Sequence, residues 1–257
     1  MLGVSAASAG TPSGTIATMD VSALAPHVDG TVVLAGVVGS RAYGLARDGS
    51  DEDMLGVYAA PLGSILGLSG REVSSTTYVR TNPDVALHEL AKFCHLCLSA
   101  NPTVTELLWL DDYTHCSDEG QMLIDVRDAM LSTTTVKNSY AGYARSQAVR
   151  LMRRGKNSSA RAEKHGRHCL RLLIQAEQLL STATLTVNVA PYRDEIFAAG
   201  KEAVDDPETY CDRIERRIAA LTNVTSVLPD TPDRDVVNDT VVTVRLQLAK
   251  KQLVQGT

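Results

Sequence analysis

The apolar positions of this chain follow two different rhythms. Up to about residue 113 they come in short, Val-rich runs broken by Gly, Pro, Asn and Asp. Beyond about residue 131 they recur every three or four positions. The first texture is that of buried strands, the second that of amphipathic helices. Strands are therefore predicted over 32–38 and 53–59, the second closed by Pro61. The β-prone stretch 73–79 lies between Gly70 and the Asn82-Pro83 turn signal. Asp84 to Leu87 reads as a strand or tight turn that leads into a helix ending near Leu98, and Asn101-Pro102 stops it. A short helix over 104–110, capped by Thr103 or Thr105, is expected to turn Trp109 and Leu110 inward. Long helices follow. Residues 137–153 place Tyr140, Tyr143, Ala144, Ala148 and Leu151 on one side, and residues 161–180 do the same with His165, Cys169, Leu172, Leu173, Ala176 and Leu180. Two more are predicted over 207–221, with Pro207 in the first turn, and over 234–253, after Pro229 and Pro232. The expected fold class is α+β: a small mixed-sheet head at 28–130, then a C-terminal helical bundle at 131–257. The Ser-, Ala- and Gly-rich residues 1–27 are expected to form a disordered N-terminal arm.

Composition narrows the function classes. With 257 residues there is ample material for a core. No apolar run approaches the roughly 18 residues of a membrane span. A net charge of −5 argues against a protein that coats nucleic acid indiscriminately. The first basic residue is Arg41, so the start of the chain lacks the charged region of an export signal. Five cysteines without disulfide-framework spacing fit a reducing, cytoplasmic setting. Cys94-x-x-Cys97 lacks the second pair that a zinc site needs and falls in a predicted helix, where cysteine acts as a small hydrophobe.

Two segments carry candidate chemistry. In the first, Gly39-Ser40 ends the opening strand, ten residues intervene, and Asp51-Glu52-Asp53 starts the next. Asp51 and Asp53, two apart, point the same way on a strand. Two carboxylates so close call for a cation, and hard oxygen donors suit magnesium, which takes one or two carboxylates plus substrate phosphates. Gly39 and Ser40 offer backbone N–H groups and a hydroxyl to those phosphates. Two-metal transfer needs a further carboxylate. Asp84 is the leading candidate, with a turn or N-cap role after Pro83 as its alternative, and Glu89 is the runner-up. In the second segment, nine lysines and arginines between Arg145 and Arg171 face one acid, Glu163. Lys164, His168, Arg171 and Gln175 share a helix face, a pattern that fits a triphosphate or a nucleic-acid backbone.

The string Gly39-Ser40-Arg41-Ala42-Tyr43-Gly44-Leu45, then Ser50-Asp51-Glu52-Asp53 and Gly56-Val57-Tyr58, resembles the polymerase-beta nucleotidyltransferases and, more narrowly, those named for an RNA repair pathway. Lys164-His165, His168-x-x-Arg171, Gly142-Tyr143-Ala144-Arg145 and Glu106-Leu107-Leu108-Trp109 are similar to later segments of that family, Glu106 being read as architecture. The resemblance covers about residues 30 to 250. It implies transfer of a nucleoside monophosphate from an NTP such as ATP to an acceptor hydroxyl, with an RNA end as acceptor and pyrophosphate released. Asp51, Asp53 and Asp84 become the catalytic and metal-binding set, for two Mg2+ ions or Mn2+ in their place. Gly39, Ser40, Arg41, Lys164, His168 and Arg171 become the nucleotide-binding set. The competing expectations are a protein or small-molecule acceptor, and a nucleotide-binding module without turnover.

Overall fold

The computed structural model describes residues 28–153 and 159–255. The expected N-terminal arm, Arg154 and Lys156 lie outside the described residues, as does the side chain of Arg153. The architecture is α+β, a five-stranded mixed sheet followed by helices. Its strands are β1 (Thr31–Val38), β2 (Asp53–Ala59), β3 (Thr77–Thr81), β4 (Asp84–Glu89) and the short β5 (His115–Cys116), in the order β3-β4-β2-β1-β5. All neighbours are antiparallel except β2 and β4, which run parallel.

Both faces of the sheet are covered, which is why its central strands are apolar throughout. Along β2, Leu55, Val57 and Ala59 enter the larger core, while Met54 and Tyr58 enter a smaller one behind the sheet. The β1 register shifts between Val32 and Leu34. Adjacent Val33 and Leu34 thereby both reach the larger core, and Val32 and Ala35 the smaller. The smaller core is closed by Ile65 of α2 (Leu62–Leu66) and Val73 of α3 (Gly70–Val73).

Three local expectations need correction. The β-prone stretch 73–79 does not begin as strand: Ser74, Ser75 and Thr76 return their hydroxyls to the carbonyls of Arg71, Glu72 and Val73 and finish α3, so β3 starts only at Thr77. The helix expected from about Leu87 is α4 (Leu90–Leu98); Glu89 ends β4 and caps that helix, accepting from the Ala91 N–H at 2.8 Å. The next helix, α5 (Pro102–Thr105), is capped by Asn101 rather than by a threonine, and passes into a 3-10 turn over Glu106–Trp109.

The larger core runs without a break from Val33 to Val244. Its helices include α6 (Asp118–Asp125), α7 (Thr133–Arg153), α8 (Ser159–Thr182), α9 (Arg193–Asp205), α10 (Pro207–Thr222) and α11 (Arg234–Gln255). The α8 helix packs between α7 and α9. Gly166 makes that packing close: a Cβ there would sit 2.5 Å from the Ala203 Cβ and 3.1 Å from the Ala199 carbonyl. Helix α9 went unforeseen because its inner stripe, Ile196, Ala199, Gly200 and Ala203, is helical in spacing but made mostly of small residues. Helix α11 returns to the head, where Arg245 pairs with Glu89 at 2.7 Å and Lys251 with Glu119 at 2.6 Å. No helix among the described residues is long and apolar enough to cross a membrane.

Candidate active site

The parallel pairing of β2 and β4 sets Asp53 directly opposite Asp84, each the first residue of its strand. Two carboxylates thus project from the same end of the sheet. Asp51 lies in the link just before β2, not in the strand, yet borders the same cavity. Burial, then the charges of Asp84 and Asp51, push the Asp53 carboxyl above its ordinary range, with Lys164 pulling the other way.

Where β1 ends, Gly39 adopts a φ of +73° and starts the single turn α1 (Gly39–Ala42). A Cβ on residue 39 would run into the Asp53 carboxylate. Glycine is therefore required twice here, by backbone conformation and by the closeness of the acid. Ser40 and Tyr43, a helical turn apart, face the cavity. Arg41 does not line it. One residue on from Ser40, it is turned about 100° away around the helix and points to Glu52 at 3.9 Å and the Ser50 carbonyl at 3.3 Å.

Helix α8 supplies the opposite wall. One cavity of about 560 Å³ is lined by Gly39, Ser40, Asp51, Asp53 and Asp84 on one side and by Arg150, Lys164, Arg167, His168 and Arg171 on the other. Of the sequence-expected site residues, only Arg41 is left out. Glu89, the alternative third carboxylate, is at the far end of β4 beside Tyr58 and committed to Arg245. A second cavity, of about 470 Å³, lies between Trp109, Arg127 and residues 182–188 and holds none of the expected site residues.

The α8 stripe is not the open row of cations that its spacing suggests. It descends from exposed Lys164 to Arg171 and Gln175, each 1% exposed. Arg171 is held by Glu106 at 3.6 Å, by the Gln175 Oε1 at 2.6 Å and by the Tyr43 ring at 3.8 Å. It also donates to Nδ1 of His168 at 3.1 Å. Burial, followed by Arg171, holds the His168 imidazole well below its ordinary pKa, so the ring is neutral and accepts that bond. The acid that pairs with the stripe comes from another element, so spacing along α8 does not reveal it.

That acid, Glu106, and Tyr43 are among the residues at the site that sequence reasoning did not assign, as are the cavity-lining Arg150 and Arg167. The Tyr43 hydroxyl donates to the Glu106 carboxylate at 2.8 and 2.9 Å, and the Gly39 backbone N–H also reaches that carboxylate. Complete burial nevertheless raises the Glu106 carboxyl to about 7, outweighing Arg171, Tyr43 and Gly39. The ion pair is long, and Arg171 Nε has no hydrogen-bond partner. A signal existed: Glu106 is the one carboxylate in the apolar run 104–110, and a buried charge needs a partner.

The donor set fits a hard cation without forming a finished cage. Among the described residues no three His, Cys, Asp or Glu side chains stand ready to hold an ion. Magnesium rarely asks for one, since it completes its shell with substrate phosphates and water. Asp53, Asp84 and Asp51, crowded and mutually repelling, are the carboxylates here that could contribute to such a shell.

The family model described as RNA repair pathway DNA polymerase beta family (RlaP) matches residues 15–206. No curated protein matches the chain. Among solved structures, a nucleotidyltransferase-like protein from Exiguobacterium sibiricum 255-15 is 14% identical, covering 79% of this chain and 71% of its own, with a TM-score of 0.30.

Proposed function

This chain belongs to the RNA repair pathway DNA polymerase beta family, and from that premise we propose that it moves a nucleoside monophosphate from an NTP to a hydroxyl at an RNA end, with Mg2+ as cofactor. The observation that carries the reading is the two-sided cavity, three carboxylates facing a basic helix across about 560 Å³. A triphosphate joined to a divalent cation has the complementary charge pattern, cation toward the acids and phosphates toward the bases.

The residues divide the work as follows. Asp51, Asp53 and Asp84 hold two Mg2+ ions, for which Mn2+ can substitute. When bound, such ions neutralise the triphosphate and lower the pKa of the attacking hydroxyl. Ser40 donates its hydroxyl to the departing phosphates. Lys164, the cation that acts on Asp53, bridges toward the same oxygens. Asp84, exposed beside Asp53, orients the acceptor hydroxyl and takes its proton. The acceptor oxygen forms its bond to the α-phosphorus as the α–β phosphoanhydride bond breaks, and pyrophosphate leaves with that electron pair. Neutral His168 and the buried Arg171–Glu106–Tyr43 group position this wall. Because Glu106 also reaches the Gly39 N–H, the phosphate-bearing turn and α8 are held as one unit.

The test is a partition experiment. The protein is incubated with α-labelled NTPs, Mg2+ and separate RNA, DNA and protein fractions, and pyrophosphate is measured. Label is expected in RNA, with an equal yield of pyrophosphate. Asp51→Asn, Asp53→Asn and Asp84→Asn are each expected to abolish both while the protein stays folded. Label entering protein would replace the acceptor. No pyrophosphate from any NTP would defeat the transferase reading in favour of a binding module.

A further inference from the structure

The face of the sheet that carries the aspartates continues past them. Alternate residues of a strand share a face, so Ala86 and His88 of β4 stand on the same side as Asp84. The antiparallel register sets Thr81, Val79 and Thr77 of β3 beside these three in turn. On β2 the same face is closed, since Leu55 and Val57, opposite Ala86 and His88, are buried in the larger core. That cover thins toward β3. Ala86 and His88 are half-buried, Thr81 is exposed, and Val79 is 64% exposed. The reverse face of the two strands is not open in this way: Val85 and Leu87 are buried in the smaller core, with Tyr78 packed against it.

The open strip has a chemistry of its own. At its far end Thr77 Oγ1 and His88 Nδ1 are 2.9 Å apart and tie β3 to β4. Lys92, in α4 four residues beyond His88, has no ion pair among the described residues. Burial, then the charge of Lys92, lowers the His88 imidazole to about 4. The ring is therefore neutral near pH 7, and the positive charge beside it is that of Lys92. Between this end and Asp84 stand the apolar side chains of Val79 and Ala86.

Backbone geometry separates the strip from the basic wall. In the order β3-β4-β2-β1, the Gly39–Ser40 turn follows β1, whereas the strip lies across β2 from it, on β4 and β3. At about 3.3 Å per residue, His88 is about 13 Å along β4 from Asp84. None of Val79, Ala86, His88 and Lys92 borders the cavity shared by Lys164, Arg171 and the aspartates. In-line displacement brings the attacking oxygen in opposite the departing pyrophosphate. With pyrophosphate leaving on the side of Ser40 and α8, the acceptor arrives from the side of β4. We infer that Val79, Ala86 and the Thr77–His88 pair form the floor for the last nucleotides of a single-stranded RNA acceptor, whose backbone meets Lys92 and whose terminal hydroxyl ends at Asp84. A base resting on Val79 and Ala86 removes apolar area from water whatever its identity. A backbone phosphate is the anion that Lys92 lacks, which favours a nucleic acid over an uncharged peptide. The inference rests on the transferase reading and deepens it by identifying where the acceptor lies.

The experiment measures binding alone. A short fluorescent oligoribonucleotide is titrated with the full chain at several salt concentrations, and ATP with Mg2+ is titrated separately. Val79→Asp, which sets a carboxylate on the floor, and Lys92→Gln are each expected to weaken RNA binding about tenfold. For Lys92→Gln the slope of log affinity against log salt should become shallower by about 0.7. ATP affinity should stay within about twofold in both, a change small beside that of a lost charged contact. Unchanged RNA affinity in either variant, parallel loss of ATP affinity, or no RNA binding by the wild type overturns the inference. Should the variants fail to fold, photocrosslinking of the wild type to RNA ending in thiouridine decides. Adducts on β3 or β4 support the site, and adducts confined to α8 overturn it. Neither measurement requires turnover, so failure here is distinct from an absence of pyrophosphate release.

Discussion

Replacing Glu106 by glutamine exchanges a carboxyl for an amide of nearly the same shape, at a position that is fully buried beneath the cavity. Glu106→Gln removes the ability to ionise and turns one of two accepting oxygens into a donor, the second effect being independent of pH. The side chain has an ordinary pKa of 4.5, and burial raises it to about 7 in the folded protein. As pH rises, the unfolded chain therefore loses this proton first. The wild type's stability from this group is fully present below 4.5, is lost as pH rises to about 7, and is level beyond. The shift corresponds to about 3 kcal/mol, at roughly 1.4 kcal/mol per pKa unit. The variant has no such loss, so moving from about pH 5 to about pH 8 should shift the stability difference toward it by most of that amount. Urea denaturation of both proteins at the two pH values, without metal or nucleotide, gives the difference directly. A gap that stays constant with pH would refute the reasoning. It would mean that Arg171, 3.6 Å away, keeps Glu106 ionised throughout and that the pair, not burial, sets its charge.

Lys164→Ala should raise the Michaelis constant for the nucleotide about tenfold and, at an exposed position, change stability by less than about half a kcal/mol. Arg171→Ala should instead cost about 3–5 kcal/mol in chemical denaturation, because it strands Glu106 in the core. Equal effects of these two variants on stability would contradict the descent of α8 into the interior. Gly39→Ala should lose turnover and about 1–3 kcal/mol of stability, since the new Cβ meets the Asp53 carboxylate at a positive φ; an active variant of wild-type stability would rule out that contact. Gly166→Ala should lower the denaturation midpoint by about 1–3 kcal/mol of overpacking although alanine is the better helix former, and a stabilised variant would show that α8 and α9 are not in close contact.

Much of the candidate site was legible because its residues lie in local patterns. Two apolar strands flanking Gly39-Ser40 and Asp51-x-Asp53 are a short-range signal, and the strands appear at Thr31–Val38 and Asp53–Ala59. The helical rhythm likewise located α7, α8, α10 and α11, because a periodicity of three and four is imposed by the element itself. Where local signals competed, the tertiary structure chose. Hydroxyls at Ser74, Ser75 and Thr76 served a helix end instead of a strand, and Glu89 became a cap and a partner of Arg245.

What the residue pattern determined on its own was which side chains are chemically suited to the work: adjacent aspartates, a glycine-serine turn, and a basic stripe on a helix. Only the tertiary structure decided how they combine. Asp84 joins Asp53 because β4 runs parallel to β2 in one particular register, and nothing near residue 84 states that register. Arg171 turns from an open cation into a buried partner of Glu106, and Arg47, Arg167 and Arg193 meet on Phe197, although these residues are far apart along the chain. Charge and hydrogen-bonding capacity belong to a residue, but solvation and pairing belong to its surroundings. Those surroundings exist only once the chain has folded.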